Sequence, residues 1–187
     1  IESLQGTLML IDIDHFKLIN DRFGHAVGDV ALVEVARRLR LALRDEDLIV
    51  RWGGEEFLLL VKTVRRAEVD ALVERLLHAI AALPVSCGAQ RVPVSASIGF
   101  ASFPLERARL ALPIEQAVDL VDTAMYLAKA RGRHRAYGLR RADVVDAQGL
   151  MLLSRDLEAA AQAGQVELTA IVGPAADPAK IKGSKST

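Results

Sequence analysis

The sequence predicts a mixed α/β domain, and two patterns lead to this class. Short apolar runs of strand length alternate with longer segments in which apolar residues recur every three or four positions. The 187 residues of the chain can bury one substantial core, but they scarcely suffice for two full domains. We therefore expect a single domain in which amphipathic helices pack on buried strands.

The first half of the chain contains three strand-like runs and one long helix. Thr7–Ile13 is short, apolar and closed by acidic residues, as expected of a buried strand with functional groups at its end. Leu48–Trp52 and Phe57–Val61 are separated by only four residues, which predicts a hairpin. The helix before the hairpin has an apolar stripe of Leu32, Val35, Ala36, Leu39 and Leu43, with Glu34, Arg37 and Arg38 opposite.

The second half predicts two more helices with a strand between them. The strand, from Val92 to Phe100, alternates apolar and polar residues and should be half-buried. The later helix should run from about Ile114 to Arg131, because Pro113 suits a helix start and Gly132 a helix end. The earlier helix, which Pro84 ends, has an apolar face of Val69, Leu72, Val73, Leu76, Ile80 and Leu83.

The composition excludes several classes of partner. The chain has 24 Lys and Arg against 24 Asp and Glu, so we expect no general attraction to DNA, RNA or anionic lipid. No apolar run approaches the roughly 18 to 20 residues of a membrane span, and Cys87 cannot form an internal disulfide. We expect a cytoplasmic domain without membrane contact, cut from a longer chain that could itself be membrane-anchored.

Four separated motifs carry the functional signal. The string RWGGEEF at residues 51–57 lies on the hairpin, where Gly53 and Gly54 would let the backbone approach a bound nucleotide. Alone, this string is also compatible with an ordinary exposed turn. Its companions are DIDHFKLINDRFGH at residues 12–25, Gly28-Asp29, and YLAKARGR at residues 126–133.

These motifs, in this order, resemble the GGDEF family of diguanylate cyclases in its GGEEF variant. The resemblance covers about residues 7–140, so we assign residues 1–141 to this domain and residues 142–187 to a C-terminal extension. It implies a central, largely antiparallel sheet wrapped by helices, as in nucleotide cyclases and the polymerase palm. It also implies condensation of two GTP into cyclic di-GMP and two pyrophosphates.

The resemblance implies a divalent metal site. Phosphoryl transfer builds negative charge on the attacking and leaving oxygens, and hard cations such as Mg²⁺ or Mn²⁺ bind oxygen ligands and offset that charge. We expect the carboxylates of Asp12 and Glu55 and the carbonyl of Ile13 to hold the metal. Glu55 can also help to remove the proton of the attacking hydroxyl.

The remaining ligand positions divide between the base and the phosphates of GTP. Asn20 and Asp29 together offer donors and acceptors that suit the guanine edge, although each residue type is also common at helix ends. Lys129 and Arg133, four apart, should lie on one helical face and reach the triphosphate together. Further candidates for GTP contact are Lys17, His25 and the backbone amides near His15 and Phe16.

A second constellation lies outside the predicted active site. Arg44 and Asp47 form an Arg-x-x-Asp motif just before the hairpin, at the spacing of the family's product-binding inhibitory site, and Arg75 is placed to join it. Guanidinium groups pair with phosphate and with the Hoogsteen edge of guanine. The resemblance therefore implies feedback inhibition by cyclic di-GMP.

The resemblance also implies partners. Each domain of this kind holds one GTP, so turnover requires a homodimer, which a sensor or receiver domain in the parent chain would bring together. The chain lacks the Asp-x-Leu-Thr-x-Leu segment that usually opens the family, so we expect a truncated N-terminal edge. Besides an active cyclase, a receptor for cyclic di-GMP with weak or no turnover and a GTP-binding regulatory module stay open.

The C-terminal extension is expected to contain a short helix over Ser154–Ala163 and a strand over Val166–Val172. The composition from about Ala175 onward is typical of a disordered tail. The residues Leu157, Ala161, Gly164 and Leu168 resemble the opening of an EAL phosphodiesterase domain, with low specificity.

Overall fold

A computed structural model describes residues 5–63, 65–108 and 112–175. Six strands form one sheet in the order β2-β3-β1-β6-β7-β8, and two short strands form a separate hairpin. All neighbouring strands of the large sheet are antiparallel except β6 and β7. The elements are β1 (Gly6–Ile13), α1 (Phe16–Phe23), α2 (His25–Ala42), β2 (Leu48–Arg51), β3 (Glu56–Val61), α3 (Arg66–Ala81), β4 (Val85–Cys87), β5 (Gln90–Val92), β6 (Ala96–Glu106), α4 (Ile114–Ala130), β7 (Arg135–Ala142), α5 (Ala147–Ser154), α6 (Leu157–Gln162) and β8 (Val166–Val172).

Strand β1 is buried on both faces and divides the core into two halves. Its side chains alternate between the faces, so Met9 and Ile11 pack beneath α2 and α3, whereas Leu8 and Leu10 pack beneath α4. Asp12 continues the second series. The alternation therefore places its carboxylate on the α4 side at the end of the strand.

Strand β6 departs from the predicted half-buried pattern. It lies between β1 and β7, and every residue from Ala96 to Ala101 is buried. Helix α4 crosses this strand so closely that a Cβ atom on Gly99 would lie 1.9 Å from the carbonyl oxygen of Val121. Gly99 in the alternating pattern is thus covered by helix α4, whereas Ser95 is half-buried, and Val92 belongs to the separate β4–β5 hairpin.

Two residues of the predicted helix faces were assigned wrongly. Arg38 does not face solvent: its Nη1 donates to the carbonyl oxygens of Ile80 and Leu83, both at 2.6 Å, and so ties α2 to the end of α3. The apolar side chain of Leu83 is 59% exposed, because α3 ends at Ala81 and the residue follows the helix. The buried guanidinium of Arg38 satisfies the carbonyls of Ile80 and Leu83, which an apolar side chain at its position could not do.

The C-terminal region matches the predictions in part. Strand β8 has the predicted bounds and pairs with β7 in the main sheet, and α6 lies within the predicted helix Ser154–Ala163, whereas α5 before it was not predicted. Residues 176–187, which carry most of the predicted tail, lie outside the described residues. In the described part of the chain, no helix combines the length and the apolar character needed to cross a membrane.

Candidate functional site

The end of β1 and the β2–β3 turn lie next to each other. Asp12 is directly opposite Glu56 across the β1–β3 ladder. One residue further on, the amide of Ile13 donates to the carbonyl oxygen of Glu55 at 3.2 Å. The antiparallel register thus brings all three residues of the predicted metal site, Asp12, Ile13 and Glu55, to one edge of the sheet.

The turn between β2 and β3 is held by its own backbone. The amides of Trp52 and Gly53 both donate to the carbonyl oxygen of Glu56, at 2.8 and 3.4 Å. The guanidinium of Arg51 donates to the carbonyl oxygen of Gly54 at 2.7 Å. A Cβ atom added at Gly54 would meet no protein atom within 4 Å, so open space lies beside this backbone.

Asp12 is a buried carboxylate with a cation beside it. Its side chain is nearly covered, and its Oδ2 lies 2.8 Å from Nζ of Lys129 on α4. Burial raises the pKa of Asp12 above its ordinary value, and the charge of Asp14 adds to the rise. The hydrogen bond and the charge of Lys129, and more weakly the charge of Arg133, oppose it.

Negative charge accumulates around this pair. Burial raises the pKa of Glu56, and repulsion from Asp12, Asp122 and Glu55 raises it further, while Lys129 opposes the rise. Two cations, Lys129 and Arg133, act on this group, and they are outnumbered by its carboxylates: Asp12, Asp14, Glu55, Glu56 and Asp122. Such an excess of oxygen ligands suits a divalent cation. Among the described residues, no group of three or more His, Cys, Asp or Glu side chains is arranged to bind a metal.

The predicted guanine-binding residues lie where α1 faces the start of α2. Oδ1 of Asn20 is buried without a hydrogen-bond partner in the described structure. This oxygen lies against Gly28, where an added Cβ would be only 1.9 Å away. Asp29 is exposed at the next position of α2. A buried amide oxygen without a partner is unfavourable, and a ligand donor would satisfy it.

The start of α1 follows a left-handed residue. His15 has φ 56° and ψ 30°, and no side chain caps the helix that begins at Phe16. Uncapped amides at a helix start favour anions. Phe16 itself is buried, whereas Lys17 in the first turn of α1 and His25 at the start of α2 are exposed. The sequence-based prediction missed α1 itself, because Asp14, Asn20 and Gly24 resemble loop residues.

Lys129 and Arg133 do not share a helical face, which corrects the sequence-based expectation. Helix α4 ends at Ala130, and Gly132 turns the chain with φ 112°. The amide of Arg133 donates to the carbonyl oxygen of Ala128 at 3.0 Å, the bond that defines a Schellman motif. Arg133 therefore follows the helix with φ 60°, although its charge still acts on Asp12.

The second predicted site is also brought together. Oδ2 of Asp47 accepts from the amide of Arg44 at 3.0 Å, and the amide of Asp47 donates to the carbonyl oxygen of Arg44 at 3.2 Å. Arg75 lies beside this turn, since its Nη2 donates to the carbonyl oxygen of Ala42 at 2.9 Å. Asp47 is buried, whereas Arg44 and Arg75 are exposed.

One residue of this second site was missed. Arg40, on the last turn of α2, donates to the carbonyl oxygens of both Arg44 and Asp47, at 2.8 and 2.9 Å. Its place four residues before Arg44 was the only signal in the sequence, and charged residues at that spacing on helices are common. The arrangement holds Arg44 on a braced turn.

Comparison with known proteins agrees with the fold. A mixed α/β domain with carboxylates at the end of β1 and at a glycine turn is the class that the structure defines. Residues 2–135 match the family described as "Diguanylate cyclase, GGDEF domain". The chain belongs to this GGDEF family.

The relatives include a protein named as bifunctional and others named as diguanylate cyclases. The chain is 36% identical over 162 residues to the bifunctional diguanylate cyclase/cyclic di-GMP phosphodiesterase MucR of Pseudomonas aeruginosa, covering 86% of this chain and 23% of MucR. The chain thus spans about a quarter of MucR, and about a third of diguanylate cyclase A of Treponema denticola, to which it is 35% identical over 69% of its own length.

Solved structures show the same fold. The active GGEEF domain of a diguanylate cyclase from Vibrio cholerae superposes with a TM-score of 0.60 at 30% identity, covering 68% of this chain and 78% of that one. The GGDEF domain of DgcB from Caulobacter crescentus, solved in complex with c-di-GMP, has a TM-score of 0.61 at 25% identity, covering 68% and 74%.

Proposed function

We propose that this chain is a diguanylate cyclase, which condenses two GTP molecules into cyclic di-GMP and releases two pyrophosphates. The observation that supports this function best is the buried carboxylate of Asp12 beside the GGEEF turn, with Lys129 as its counter-ion. The membership of the GGDEF family supports the same reaction.

The chemistry makes specific demands on the site. In each of two steps, the 3′ oxygen of one GTP bonds to the α-phosphorus of the other, and the bond from that phosphorus to the bridging oxygen breaks. Glu55 is proposed to accept the proton of the attacking hydroxyl. Asp12, Glu55 and the Ile13 carbonyl would hold Mg²⁺ or Mn²⁺. When bound, such a cation offsets charge on phosphate oxygens and acidifies a hydroxyl.

The remaining residues would bind and orient the nucleotide. Asn20 and Asp29 are proposed to read the guanine base, which would also satisfy the buried Oδ1 of Asn20. Lys129 and Arg133 would pair with the triphosphate, with Lys129 exchanging Asp12 for a phosphate oxygen. Lys17, His25 and the amides near His15 and Phe16 complete the proposed GTP contacts.

One domain offers one such site, whereas the reaction joins two nucleotides. We therefore propose that turnover takes place in a homodimer with two sites facing each other. A neighbouring sensor or receiver domain in the parent chain would control this encounter. A monomer should bind GTP without cyclising it.

The decisive experiment incubates the purified protein with GTP and Mg²⁺ and measures cyclic di-GMP and pyrophosphate. Fusion to a constitutive dimerisation domain removes the dependence on a controlling domain. We expect product from the fused protein and a loss of about 10²- to 10⁴-fold in turnover for Glu55→Gln. No product from the dimerised chain, together with tight product binding, would establish the receptor function instead.

Feedback by the product is the second proposed property. Arg44 is exposed on a turn that Asp47 and Arg40 brace, and Arg75 is exposed on the neighbouring helix α3. Two guanidinium groups can pair with the phosphates and guanine edges of cyclic di-GMP. Binding there would link domains so that their active sites cannot meet.

A further inference from the structure

Asp14 is buried next to the proposed active site and has no role in the proposed chemistry. Its side chain is 5% exposed and accepts three hydrogen bonds. The hydroxyls of Ser95 and Ser97 donate at 2.6 and 2.7 Å, and the amide of His134 donates at 2.9 Å. One carboxylate thus joins the end of β1, the start of β6 and the segment before β7.

Strained backbone is concentrated around this carboxylate. Four non-glycine residues have positive φ in the described parts of the chain, and three of them, His15, Arg133 and His134, adjoin Asp14. His15 follows Asp14 directly, whereas His134 donates its amide to Asp14 and follows Arg133. Left-handed conformations of such residues cost about 1–3 kcal/mol each and persist only where surrounding contacts impose them.

These three residues belong to the two segments that the proposed function assigns to the triphosphate. His15 leads into the uncapped start of α1, and Arg133 follows the end of α4. The two segments are far apart in sequence. Asp14 connects them by a side-chain hydrogen bond, since it directly precedes His15 in the first segment and accepts from the His134 amide in the second.

We propose that Asp14 is a positioning residue that holds both phosphate-binding segments in their strained conformations. This inference rests on the proposed function, which it deepens. Loss of the carboxylate would free the His134 amide and let the peptide between Arg133 and His134 rotate, while the bond from the Arg133 amide to Ala128 remains. Arg133 would then turn away from the nucleotide while the sheet remained folded.

The second support of His134 limits the effect to this region. The carbonyl oxygen of His134 accepts from the amide of Gly173 at 2.8 Å, and its Nε2 lies 2.7 Å from the carbonyl oxygen of Pro174. Strand β8 therefore keeps the segment near the sheet when Asp14 is changed. We expect a change of conformation at Arg133 rather than unfolding of β7.

The test compares Asp14→Ala with Asp14→Asn. Asparagine has the same shape, its oxygen can still accept from the His134 amide, and serine hydroxyls can accept from its amide group as well as donate. Asp146→Ala is the matched control, because Asp146 also accepts a backbone amide, that of Gly149, but does so at the start of α5.

Two measurements are needed, one independent of the nucleotide. Hydrogen exchange at the His134 amide should accelerate at least about tenfold in Asp14→Ala and little in Asp14→Asn or Asp146→Ala. The affinity for a non-hydrolysable GTP analogue should fall about 10- to 100-fold in Asp14→Ala and should largely recover in Asp14→Asn. The KM for GTP should rise in Asp14→Ala accordingly. Should Asp14→Ala fail to fold, the Ser95→Ala/Ser97→Ala double variant removes two of the three donors that hold the carboxylate in place, and it should still accelerate exchange at the His134 amide, by a smaller factor.

The outcomes separate this inference from the proposed function. Unchanged exchange at the His134 amide in Asp14→Ala would show that Asp14 does not hold this backbone, whatever the nucleotide affinity. Faster exchange with unchanged nucleotide affinity would overturn the positioning role. If the wild-type protein binds no guanine nucleotide while Asp14→Ala still accelerates exchange at the His134 amide, the proposed function is refuted and the backbone anchor stands.

Discussion

Nζ of Lys129 lies 2.8 Å from Oδ2 of Asp12, which joins the last turn of α4 to the end of β1. The pair combines a buried carboxylate with a cation in a region where carboxylates are in excess. Removal of the negative charge should therefore improve stability, whereas the proposed reaction requires that charge. Substitution of Asp12 should therefore change stability and turnover in opposite directions.

Asp12→Asn should be more stable than the wild type at neutral pH and should lose turnover. Burial raises the folded-state pKa of Asp12 above 3.8, so the folded chain binds this proton more tightly than the unfolded chain does. That contribution to stability is full below the unfolded-state pKa and is lost as the pH rises through the raised folded-state pKa. Thermal unfolding of both proteins from pH 3 to 8 should show a gap at pH 7 that closes towards pH 3. A less stable variant at pH 7 would contradict this sign.

Gly28→Ala should impair guanine recognition without touching a polar group. The new Cβ would lie 1.9 Å from Oδ1 of Asn20 and would force that side chain away. We expect selectivity for GTP over ATP to fall about 10- to 100-fold, since one or two hydrogen bonds to the base are lost. Binding measurements with both nucleotides provide the readout.

The control for this change is Asn20→Ala, alone and combined with Gly28→Ala. If the glycine acts through Asn20, the double variant should lose no more than the worse single variant. Additive losses would show that Gly28→Ala acts by another route. Helix α2 should remain intact, because alanine is a better helix former than glycine by about 1 kcal/mol.

Arg44→Ala should relieve inhibition by cyclic di-GMP and leave the initial rate unchanged. Its backbone amide still donates to Asp47, so the turn keeps its conformation. Inhibition curves with added product should shift to higher concentrations by about tenfold or more, as expected when a charged pair to phosphate is lost. An unchanged curve would remove Arg44 from the product site.

Asp47→Ala should affect stability as well as inhibition. It leaves the Arg44 amide without its acceptor, at a cost of about 1–3 kcal/mol in the free energy of unfolding. Comparison of the two variants by denaturant unfolding distinguishes the exposed ligand from the residue that braces the turn. Equal stability of the two proteins would contradict this division.

Asp70→Ala should destabilise the fold without removing a residue of either site. Arg140 on β7 is an almost fully buried cation whose ion-pair partner is Asp70 on α3, and its guanidinium lies 4.8 Å from the ring centroid of Phe100. Removing the partner of a buried charge costs about 3 kcal/mol or more. Glu167→Ala breaks the exposed pair with Arg66 and should cost less than about 1 kcal/mol. Similar unfolding midpoints for the two variants would refute this contrast.

Local pattern predicted most of the elements because burial imposes a period. The stripe on α2, the β2–β3 hairpin and helix α4 follow from repeats of 3.6 or 2 residues, and the structure confirms them within a few residues. Helices α1 and α5 and strands β4 and β7 were missed. Strand β7, with three arginines in eight residues, lacks the apolar pattern of a strand and forms where the sheet supplies neighbours on both sides.

The candidate site was predicted because its residues lie within short motifs that can be recognised in the sequence. Asp12 and the GGEEF turn are recognisable from residue types and order, without any distance between them. Two details were wrong or unseen for a common reason. Arg133 follows a Schellman turn rather than a helical face, and Arg40 braces the second site, and both depend on where a helix ends, which sequence patterns determine poorly.

The sequence by itself determined the family, the class of fold and the residue types available for phosphoryl transfer. Only the tertiary structure decided which groups neutralise one another. The pairing of Asp12 with Lys129 and the closure of Asp14 on Ser95, Ser97 and His134 join residues more than 80 positions apart. Local repeats carry no information about such distances, because those contacts arise from the register of strands and the placement of helices on the sheet.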